Sequence, residues 1–296
     1  MKKVLITGAN SYIGTSFEKY AAEKYKDKLV VETIDMIDGS WCQKDFSDYD
    51  IVFHVAGLAH ADVGNVSEEV KTKYYKINTN LAIETCKKAK ADGVKQFVFM
   101  SSAIIYGESA PYGKTKLITK DTEPTPANFY GDSKWQADKG VRELASDNFT
   151  VTVLRPPMIY GKNSKGNYPV LAKMAKKLPL FPRVHNERSM LYIENLCEFL
   201  CQVMISDQGG IFWPQNAEYS STSKIVKMIA DVRGHKILVS KAFSWIIAIT
   251  SHIPGKIRNL TNKAFGNLTY DLEMSKYDFC YQLVSLEESI KRTEAE

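Results

Sequence analysis

Short apolar runs alternate with amphipathic segments through the first half of the chain. Runs rich in Val, Ile and Phe are typical of strands buried in a parallel sheet, whereas apolar residues three and four positions apart indicate helices that cover it. This alternation predicts an α/β protein with a doubly wound parallel sheet. The predicted strands span residues 3–7, 29–34, 50–55, 96–100 and 149–154, and the predicted helices span 12–24, 71–90 and 133–145.

The pattern changes after residue 154, where prolines interrupt short and irregular elements. This half contains neither an internal repeat nor a low-complexity linker, so we expect a smaller, mixed α/β lobe that packs on the sheet. The predicted division is a sheet domain over residues 1–160, to which residues of about 186–210 return, and a substrate-binding lobe over 161–185 and 211–296.

Composition excludes several classes of protein. The 296 residues include 39 Lys and Arg against 34 Asp and Glu, and this net charge of +5 is too small to indicate a nucleic-acid partner. Five cysteines without a CxxC spacing exclude a disulfide scaffold and a zinc ribbon. The N-terminal apolar run is too short for a secretion signal, and the longest run, 242–249, is too short to span a bilayer. We therefore expect a cytoplasmic protein with no metal, nucleic acid or integral membrane segment.

Two polar residue types lie in apolar surroundings. His54 stands within a predicted strand, and a hydrogen-bonded core histidine is the favoured interpretation over a catalytic one. Cys197 and Cys201 are four residues apart on one predicted helix face, and without His or Cys partners nearby we expect them in the core.

The charge is unevenly distributed. Between residues 232 and 270 the chain has six Lys and Arg and no Asp or Glu. A solvated basic face is the simpler interpretation, and a site for an anionic ligand or anionic lipid is the alternative. Residues 242–257 also combine aromatic and aliphatic residues with flanking basic ones, which indicates either core or dimer packing or attachment to a membrane surface.

The first predicted strand runs directly into a glycine-containing turn and a helix. Gly8 and Gly14 bound this turn, which allows backbone N–H groups and the helix N-terminus to face a pyrophosphate. Asp35 follows the second strand, at the distance where a carboxylate accepts both ribose hydroxyls of an adenosine and repels a 2′-phosphate. The segment therefore predicts a dinucleotide site that favours NAD, with NADP possible.

A second constellation follows the fourth predicted strand. Ser101 and Ser102 end that strand, and Tyr130 and Lys134 lie one helical turn apart downstream. An ammonium group beside a phenol, together with the positive nicotinamide ring of a bound cofactor, favours the phenolate, so we expect a lowered pKa for Tyr130. Tyr130 then exchanges a proton with a substrate hydroxyl, to which Ser102 donates a hydrogen bond, while a hydride moves to or from the cofactor.

Together these motifs resemble the extended short-chain dehydrogenase/reductases, in particular the NAD-dependent nucleotide-sugar epimerase/dehydratase family. The resemblance covers nearly the whole chain and implies a Rossmann sheet. It is carried by TGxxxxxG at 7–14, VFHVAG at 52–57, Asn78, SSAIIYG at 101–107, YGDSK at 130–134, LRPPMIYG at 154–161, NERSMLYIENL at 186–196 and GNLTYD at 266–271.

The resemblance implies roles for individual residues. Ser102, Tyr130 and Lys134 are the implied catalytic residues. The implied substrate is a UDP-linked sugar, and its candidate ligands are His60, Ser102, Asn167, Asn186, Arg188 and Arg258. For Arg188 an ion pair with Glu187 or Glu194 is the alternative. The implied cofactor contacts are Gly8, Asn10, Ser11, Tyr12, Ile13, Gly14, Asp35, Asp45, Phe46, Val55, Ala56, Gly57, Asn78, Tyr130, Lys134 and Pro157.

The chain departs from the family pattern in two places. Ser11 replaces the usual middle glycine of the turn, and we expect dinucleotide binding to survive because Ser is small and polar. The stretch between Asp35 and Asp50 leaves little room for the usual helix, although Asp45 and Phe46 are still expected beside the adenine.

Within this family, the chain is most similar to a branch that acts in bacterial capsule and O-antigen pathways. It implies NAD(P)H-dependent reduction at C4 of a UDP-linked 4-keto-6-deoxy-N-acetylhexosamine, with an NAD-dependent 4-epimerase as the alternative. A dehydratase is disfavoured because Ala103 and Ile104 stand where dehydratases have an Asp-Glu pair. A non-catalytic dinucleotide sensor is the remaining rival. Family habit further implies a homodimer through the helix at 71–90 and the helix that carries Tyr130.

Overall fold

The computed structural model describes residues 1–59 and 66–295, in which helices and strands alternate. The strands are β1 Lys2–Thr7, β2 Leu29–Ile34, β3 Ile51–His54, β4 Gln96–Met100, β5 Leu117–Ile118, β6 Thr150–Leu154, β7 Met158–Tyr160, β8 Leu180–Pro182, β9 Met190–Tyr192, β10 Gly210–Phe212, β11 Leu238–Ser240 and β12 Thr269–Tyr270. The helices are α1 Tyr12–Lys24, α2 Glu68–Tyr74, α3 Leu81–Ala91, α4 Phe129–Arg142, α5 Asn167–Lys177, α6 Ile193–Ile205, α7 Thr222–Val232, α8 Ser244–Thr250, α9 Lys256–Phe265 and α10 Leu286–Glu294.

A parallel sheet forms the centre of the molecule. Its strand order is β10-β6-β4-β3-β1-β2, and every neighbouring pair in it is parallel. The order reverses between β1 and β3, so the loops that follow these two strands open a crevice at the carboxyl edge, where sheets of this kind bind ligands. The prediction of an α/β fold with a doubly wound parallel sheet is confirmed.

Local sequence explains the element boundaries. Every residue of β3 and β4 is buried, as their apolar runs predict. The predicted helix 71–90 is observed as α2 and α3 joined by a π-helical stretch, Tyr75–Asn80. The predicted helix 133–145 instead begins at Phe129, because the Asn128 side chain accepts the N–H of Gly131 at 3.0 Å and caps the helix. That cap places Tyr130 in the first turn of α4.

The second half of the chain returns to the sheet. Helix α6 packs against α1, where Tyr20 and Tyr25 donate hydroxyl hydrogen bonds to Glu198 at 2.8 and 2.5 Å. Strand β10 then pairs with β6 at the edge of the sheet. The return therefore extends two residues beyond the predicted limit of 210, and the division into two domains stays a prediction. One apolar core runs through both halves, from Val4 to Ile225.

The histidine and the two cysteines that the sequence predicts in the core are buried there. His54 is fully buried, with its Nδ1 2.8 Å from the hydroxyl of Thr7, and Cys197 and Cys201 lie in the main apolar cluster. Within residues 1–59 and 66–295, no three His, Cys, Asp or Glu side chains gather as metal ligands would. None of the helices in these ranges is both long enough and apolar enough to cross a membrane.

Candidate active site

The turn after β1 brings the start of α1 to the crevice. Gly8 has a φ of 126°, and a Cβ there would lie 2.8 Å from the backbone nitrogen of Ala56, so only glycine fits. Asn10 follows with a φ of 59°. The Ser11 hydroxyl accepts the N–H of Gly14 at 3.1 Å and caps α1. The first-turn N–H groups of α1 are therefore presented at the crevice, as a pyrophosphate requires.

The substitution of the family's middle glycine by Ser11 has a structural reason. Its hydroxyl occupies the space in which a Cβ at position 14 would lie, 2.5 Å away, so Ser11 and Gly14 fit as a pair. Tyr12 and Ile13 begin the helix behind this cap. The Tyr12 hydroxyl is buried without a hydrogen-bond partner, beside Gly161, and burial raises its pKa. Ile13 packs on the main core. The turn fits a dinucleotide without the middle glycine.

Two carboxylates predicted at the adenosine end of the site are exposed. Asp35 is exposed immediately after β2, where one carboxylate oxygen accepts the N–H of Ile37 at 2.8 Å. Asp45 is also exposed and accepts the N–H of Ser47 at 2.8 Å. Phe46 requires a correction.

The sequence predicts Phe46 beside the adenine, but its side chain is fully buried. Its N–H donates to the Asp92 carboxylate at 3.0 Å, and the Lys88 ammonium lies 4.8 Å from its ring centroid. The ring and the N–H are therefore both engaged inside the protein. The short 35–50 stretch folds inward here, where the sequence alone predicts an exposed contact.

The loop after β3 forms the opposite wall of the crevice. The N–H groups of Val55 and Ala56 both donate to the carbonyl oxygen of Thr7, at 3.1 and 2.9 Å, which fixes this loop to the end of β1. Gly57 is exposed, and a Cβ there would lie 3.1 Å from the Lys134 ammonium. His60 lies outside the described residues.

Asn78, which the resemblance implies as a cofactor ligand, holds the wall together. It is fully buried in the π-helical stretch. Its Oδ1 accepts the N–H of Leu58 at 2.7 Å, and its Nδ2 donates to the Leu58 carbonyl and the Ser133 hydroxyl, both at 3.1 Å. These bonds fasten Leu58, in the loop after β3, to Ser133 on α4, and the contact of Asn78 with the cofactor stays a prediction.

The three predicted catalytic residues converge at the end of β4. Lys134 is buried and its Nζ donates to the carbonyl of Met100 at 3.1 Å. Ser102, half-buried, caps the short 3₁₀ helix at Ala103–Tyr106. A Cβ at Gly131 would lie 2.9 Å from the carbonyl oxygen of Ile104, so this glycine allows α4 to approach that helix. The half-buried Tyr130 stands between these elements in the first turn of α4.

Burial dominates the electrostatics of this centre. It lowers the pKa of the Lys134 ammonium to about 8, and it raises the pKa of Tyr130 to about 12, with a smaller contribution from Tyr74, whose ring lies 5.8 Å away edge-on. The lowered pKa expected for Tyr130 includes the charge of a bound nicotinamide ring and stays a prediction. Lys134 retains donors beyond its bond to Met100, and these suit the ribose hydroxyls of a dinucleotide.

A buried ion pair behind the site is not predicted by the sequence analysis. Arg155 follows β6 and donates to both oxygens of the Asp138 carboxylate, at 2.9 and 2.8 Å, and to the Tyr106 hydroxyl at 2.8 Å. It joins β6, α4 and the 3₁₀ helix after Ser102. Pro157 is buried next to it. The sequence signal that indicates this buried ion pair is an Arg at the end of an otherwise apolar run, directly before two prolines.

Four of the predicted substrate ligands lie in the second half of the chain. Asn167 is exposed at the start of α5, and Arg258 is exposed on α9. Asn186 requires a correction: its Oδ1 accepts the N–H of Thr222 at 3.0 Å, and its Nδ2 donates to the Thr222 hydroxyl at 3.1 Å and the Gly266 carbonyl at 3.4 Å. It is buried and positions the start of α7, so we assign it no ligand.

Arg188 is the substrate candidate that the structure favours. Its guanidinium donates to the carbonyls of Gly266 and Lys263 at 3.1 and 2.7 Å and to the Ser109 hydroxyl at 3.0 Å. Neither Glu187 nor Glu194 forms the predicted alternative ion pair, since Glu194 pairs with Arg292. Burial lowers the pKa of Arg188 to about 10. A half-buried cation bound only by neutral groups fits a diphosphate.

Comparison with known proteins identifies the class. Residues 4–212 match the model of the NAD dependent epimerase/dehydratase family. A UDP-glucose 4-epimerase of Vibrio cholerae is 26% identical over 99% of this chain and 94% of its own length. An N-acetyl-alpha-D-glucosaminyl-diphospho-ditrans,octacis-undecaprenol 4-epimerase of Escherichia coli O157:H7 is 28% identical over 67% of this chain and 61% of its own.

Solved structures share the fold. A UDP-glucose 4-epimerase of Thermus thermophilus, in complex with NAD, superposes with a TM-score of 0.74 at 17% identity and covers 98% of this chain and 97% of its own. A Bacillus anthracis dTDP-4-dehydrorhamnose reductase with NADP also gives 0.74, at 20% identity, over 99% and 98%.

The chain belongs to the NAD dependent epimerase/dehydratase family. It is an enzyme of the nucleotide-sugar epimerase and reductase type, with a nicotinamide dinucleotide as cofactor. When bound, that cofactor accepts or returns a hydride. In this chain Ser102 follows β4, and Tyr130 and Lys134 lie at the start of α4.

Proposed function

We propose that the enzyme inverts the hydroxyl at C4 of a UDP-linked hexose or N-acetylhexosamine and keeps NAD bound throughout. The observation that carries this proposal is that the start of α4, which bears Tyr130 and Lys134, packs against the segment after β4 that bears Ser102, with Lys134 bonded to the carbonyl of Met100. The NAD-selective position of Asp35 and the resemblance to the Vibrio cholerae 4-epimerase over almost the whole chain also support it. An epimerase returns the hydride that it removes and needs no external reductant.

The reductase predicted from the sequence is the second candidate. It would use the same residues on a UDP-linked 4-keto-6-deoxy-N-acetylhexosamine, with Tyr130 donating its proton to the C4 oxygen. Ala103 and Ile104 after Ser102 leave no acidic pair for the elimination of water by a dehydratase.

Both candidates are tested by one assay with three substrates. The purified protein is incubated with UDP-GlcNAc, with the 4-keto sugar plus NADH, and with polyprenyl-diphosphate-linked GlcNAc, since the Escherichia coli relative is named for such a substrate. Formation of UDP-GalNAc without net loss of NADH supports the 4-epimerase. Oxidation of one NADH for each 4-keto sugar that is reduced to its 4-hydroxy product supports the reductase and overturns the epimerase.

The mechanism is tested with Tyr130→Phe. Loss of the proton-exchanging hydroxyl is expected to lower kcat by about 10² to 10⁴, with unchanged NAD binding measured by fluorescence. Tyr75→Phe is the matched control, because its hydroxyl only donates to Asp132 on the outer side of α4. Full activity in Tyr130→Phe would exclude Tyr130 as the acid/base. A wild type that binds NAD and turns over none of the three substrates would instead favour the sensor interpretation.

We further propose that the enzyme works in the cytoplasm, as a homodimer, in the supply of precursors for capsule or O-antigen. Residues 71–90 and the helix that carries Tyr130 are the expected contact, and Val70 at the start of this face is 39% exposed. Light scattering on purified protein tests the dimer. A monomeric mass at assay concentration would contradict it.

A further inference from the structure

Helices α8 and α9 pack against each other as a hairpin that turns apolar side chains outward. Trp245 and Ile249, one turn apart on α8, are 60% and 54% exposed, and Ile257 and Leu260 on α9 are 47% and 57% exposed. Between them, at the tip of the hairpin, Ile253 is 38% exposed. Large side chains are usually exposed singly, so such a contiguous set marks an interaction surface.

The hairpin is nevertheless a folded part of the lobe. Its inner side is closed by Ile247 and Thr261, each only 8% exposed. The end of α9 is fastened to the rest of the protein, since the carbonyl of Lys263 accepts from Arg188 and the side chain of Asn262 accepts the N–H of Tyr112 at 3.2 Å. The outward apolar side is therefore held in place on a fixed support, and the core packing considered from the sequence is wrong for these residues.

Basic residues also lie on and beside the hairpin. Lys241, just before α8, is exposed, as are Arg258 and Lys263 on α9. Among the described ranges, no acidic side chain pairs with any of these three, whereas Arg233 outside the hairpin pairs with Glu294. The sequence offers no acid at all from residue 232 to 270.

Charge decides which partner fits this surface. A symmetric contact between two copies would bring two uncompensated sets of cations together, and this repulsion disfavours a second copy of the chain. An anionic bilayer supplies both missing complements, because its headgroups attract the cations and its interface accepts Trp and aliphatic side chains. We propose that the α8–α9 hairpin docks the enzyme on an anionic phospholipid surface.

In this arrangement the hairpin lies along the membrane plane and does not cross it. Trp245 sits at the level of the headgroups, where its apolar ring and polar N–H are both accommodated. The aliphatic residues of both helices enter the boundary of the acyl chains. An open apolar depression of about 570 Å³, lined by Ala248, Ile249, His252, Ile253 and Pro254, lies on the same side and accepts part of an acyl chain.

The test is flotation of the purified protein with vesicles. Wild type is expected to float with phosphatidylcholine vesicles that contain phosphatidylglycerol, and not with phosphatidylcholine alone, and high salt should release it. Trp245→Ser is expected to lower the partition coefficient about tenfold. Lys241→Glu with Arg258→Glu should lower it at least about twentyfold, since each basic residue contributes about fivefold.

Two matched controls distinguish docking through the hairpin from non-specific hydrophobic binding and from an effect of net charge. Ile37→Ser removes an apolar side chain that is 92% exposed on the other lobe, and Lys19→Glu with Lys24→Glu reverses two exposed lysines on α1. Both controls should float like wild type, and all variants should keep the wild-type unfolding midpoint.

Two outcomes would overturn the proposal. One is wild-type protein that stays unbound with both kinds of vesicle. The other is light scattering in which Trp245→Ser halves the mass of the particle, which would assign the surface to a second copy. Because flotation does not depend on turnover, a failure of the proposed epimerase activity leaves this result interpretable.

Discussion

The crevice at the carboxyl edge of the sheet and the α8–α9 hairpin both depart from the usual distribution of polar and apolar groups, in opposite directions. Behind the crevice, Asn78, Asp138 and Arg155 are polar and buried, and each has protein partners. On the hairpin, Trp245 and Ile249 are apolar and exposed. Buried polar groups that are bonded to protein partners hold the site in one arrangement. Exposed apolar groups instead mark a surface that binds another molecule or a membrane.

The largest expected effect in this comparison comes from the buried ion pair. Asp138→Leu leaves the Arg155 guanidinium buried without its carboxylate, which is expected to cost about 3–5 kcal/mol of unfolding free energy. Urea unfolding monitored by tryptophan fluorescence measures it. A double variant, Asp138→Leu with Arg155→Met, removes both charges and should recover most of the loss. Equal loss in the double variant would show that packing, and not the charge, is responsible.

A second effect depends on pH. Burial lowers the pKa of His54 to about 3, below its unfolded value of about 6.5, so the unfolded state binds more protons between these values and stability falls as the pH falls through this window. From pH 7 to pH 5, this group alone is expected to remove about 2 kcal/mol. His54→Gln should reduce the pH dependence by that amount in urea unfolding. An unchanged slope would contradict the buried, neutral imidazole.

The cap of α1 should have a smaller effect. Ser11→Ala removes the acceptor for the N–H of Gly14 and is expected to cost about 1 kcal/mol, whereas Ser11→Gly, which restores the family's usual residue, should cost only a few tenths. Thermal unfolding of the two variants measures the difference. NAD affinity should fall little in either, and a large loss would show that Ser11 itself is a ligand.

The hairpin should contribute least to stability. Trp245→Ser exposes little new apolar surface to water, since the side chain is already 60% exposed, and the unfolding free energy is expected to change by less than about 0.5 kcal/mol. The same urea titration measures it. A loss comparable to that of Asp138→Leu would mean that the hairpin surface is part of the core, and the contrast between the two regions would disappear.

The sheet could be predicted from the sequence because buried parallel strands are nearly continuous apolar runs, and the Gly8 turn and the Tyr130–Lys134 pair depend on short spacings. The surroundings of other candidate residues depend on contacts distant in the sequence. The side chain of Asn78 donates to Ser133 on α4, and the backbone N–H of Phe46 donates to Asp92.

The exposure of the apolar side chains on the hairpin could not be predicted either, because it too depends on contacts between residues distant in the sequence. The spacing of apolar residues identifies an apolar face on a helix, but it does not determine whether the protein core, a second chain or a membrane packs on that face. For Trp245 and Ile249, core, dimer and membrane packing give the same pattern in the sequence. Only the exposure and the unpaired charges of the folded protein distinguish them.

The return of the chain to β10 restricts how enzymes of this architecture can exchange parts. Because α6 and β10 come from the second half and complete the first, a boundary near residue 160 leaves Glu198 of one parent facing Tyr20 and Tyr25 of another. If the predicted substrate-binding lobe is correct, a chimaera that imports a new sugar specificity has to transplant two separate segments, 161–185 and the part beyond 212, and keep the native stretch between them. Recombination at a single crossover is not expected to yield a folded hybrid.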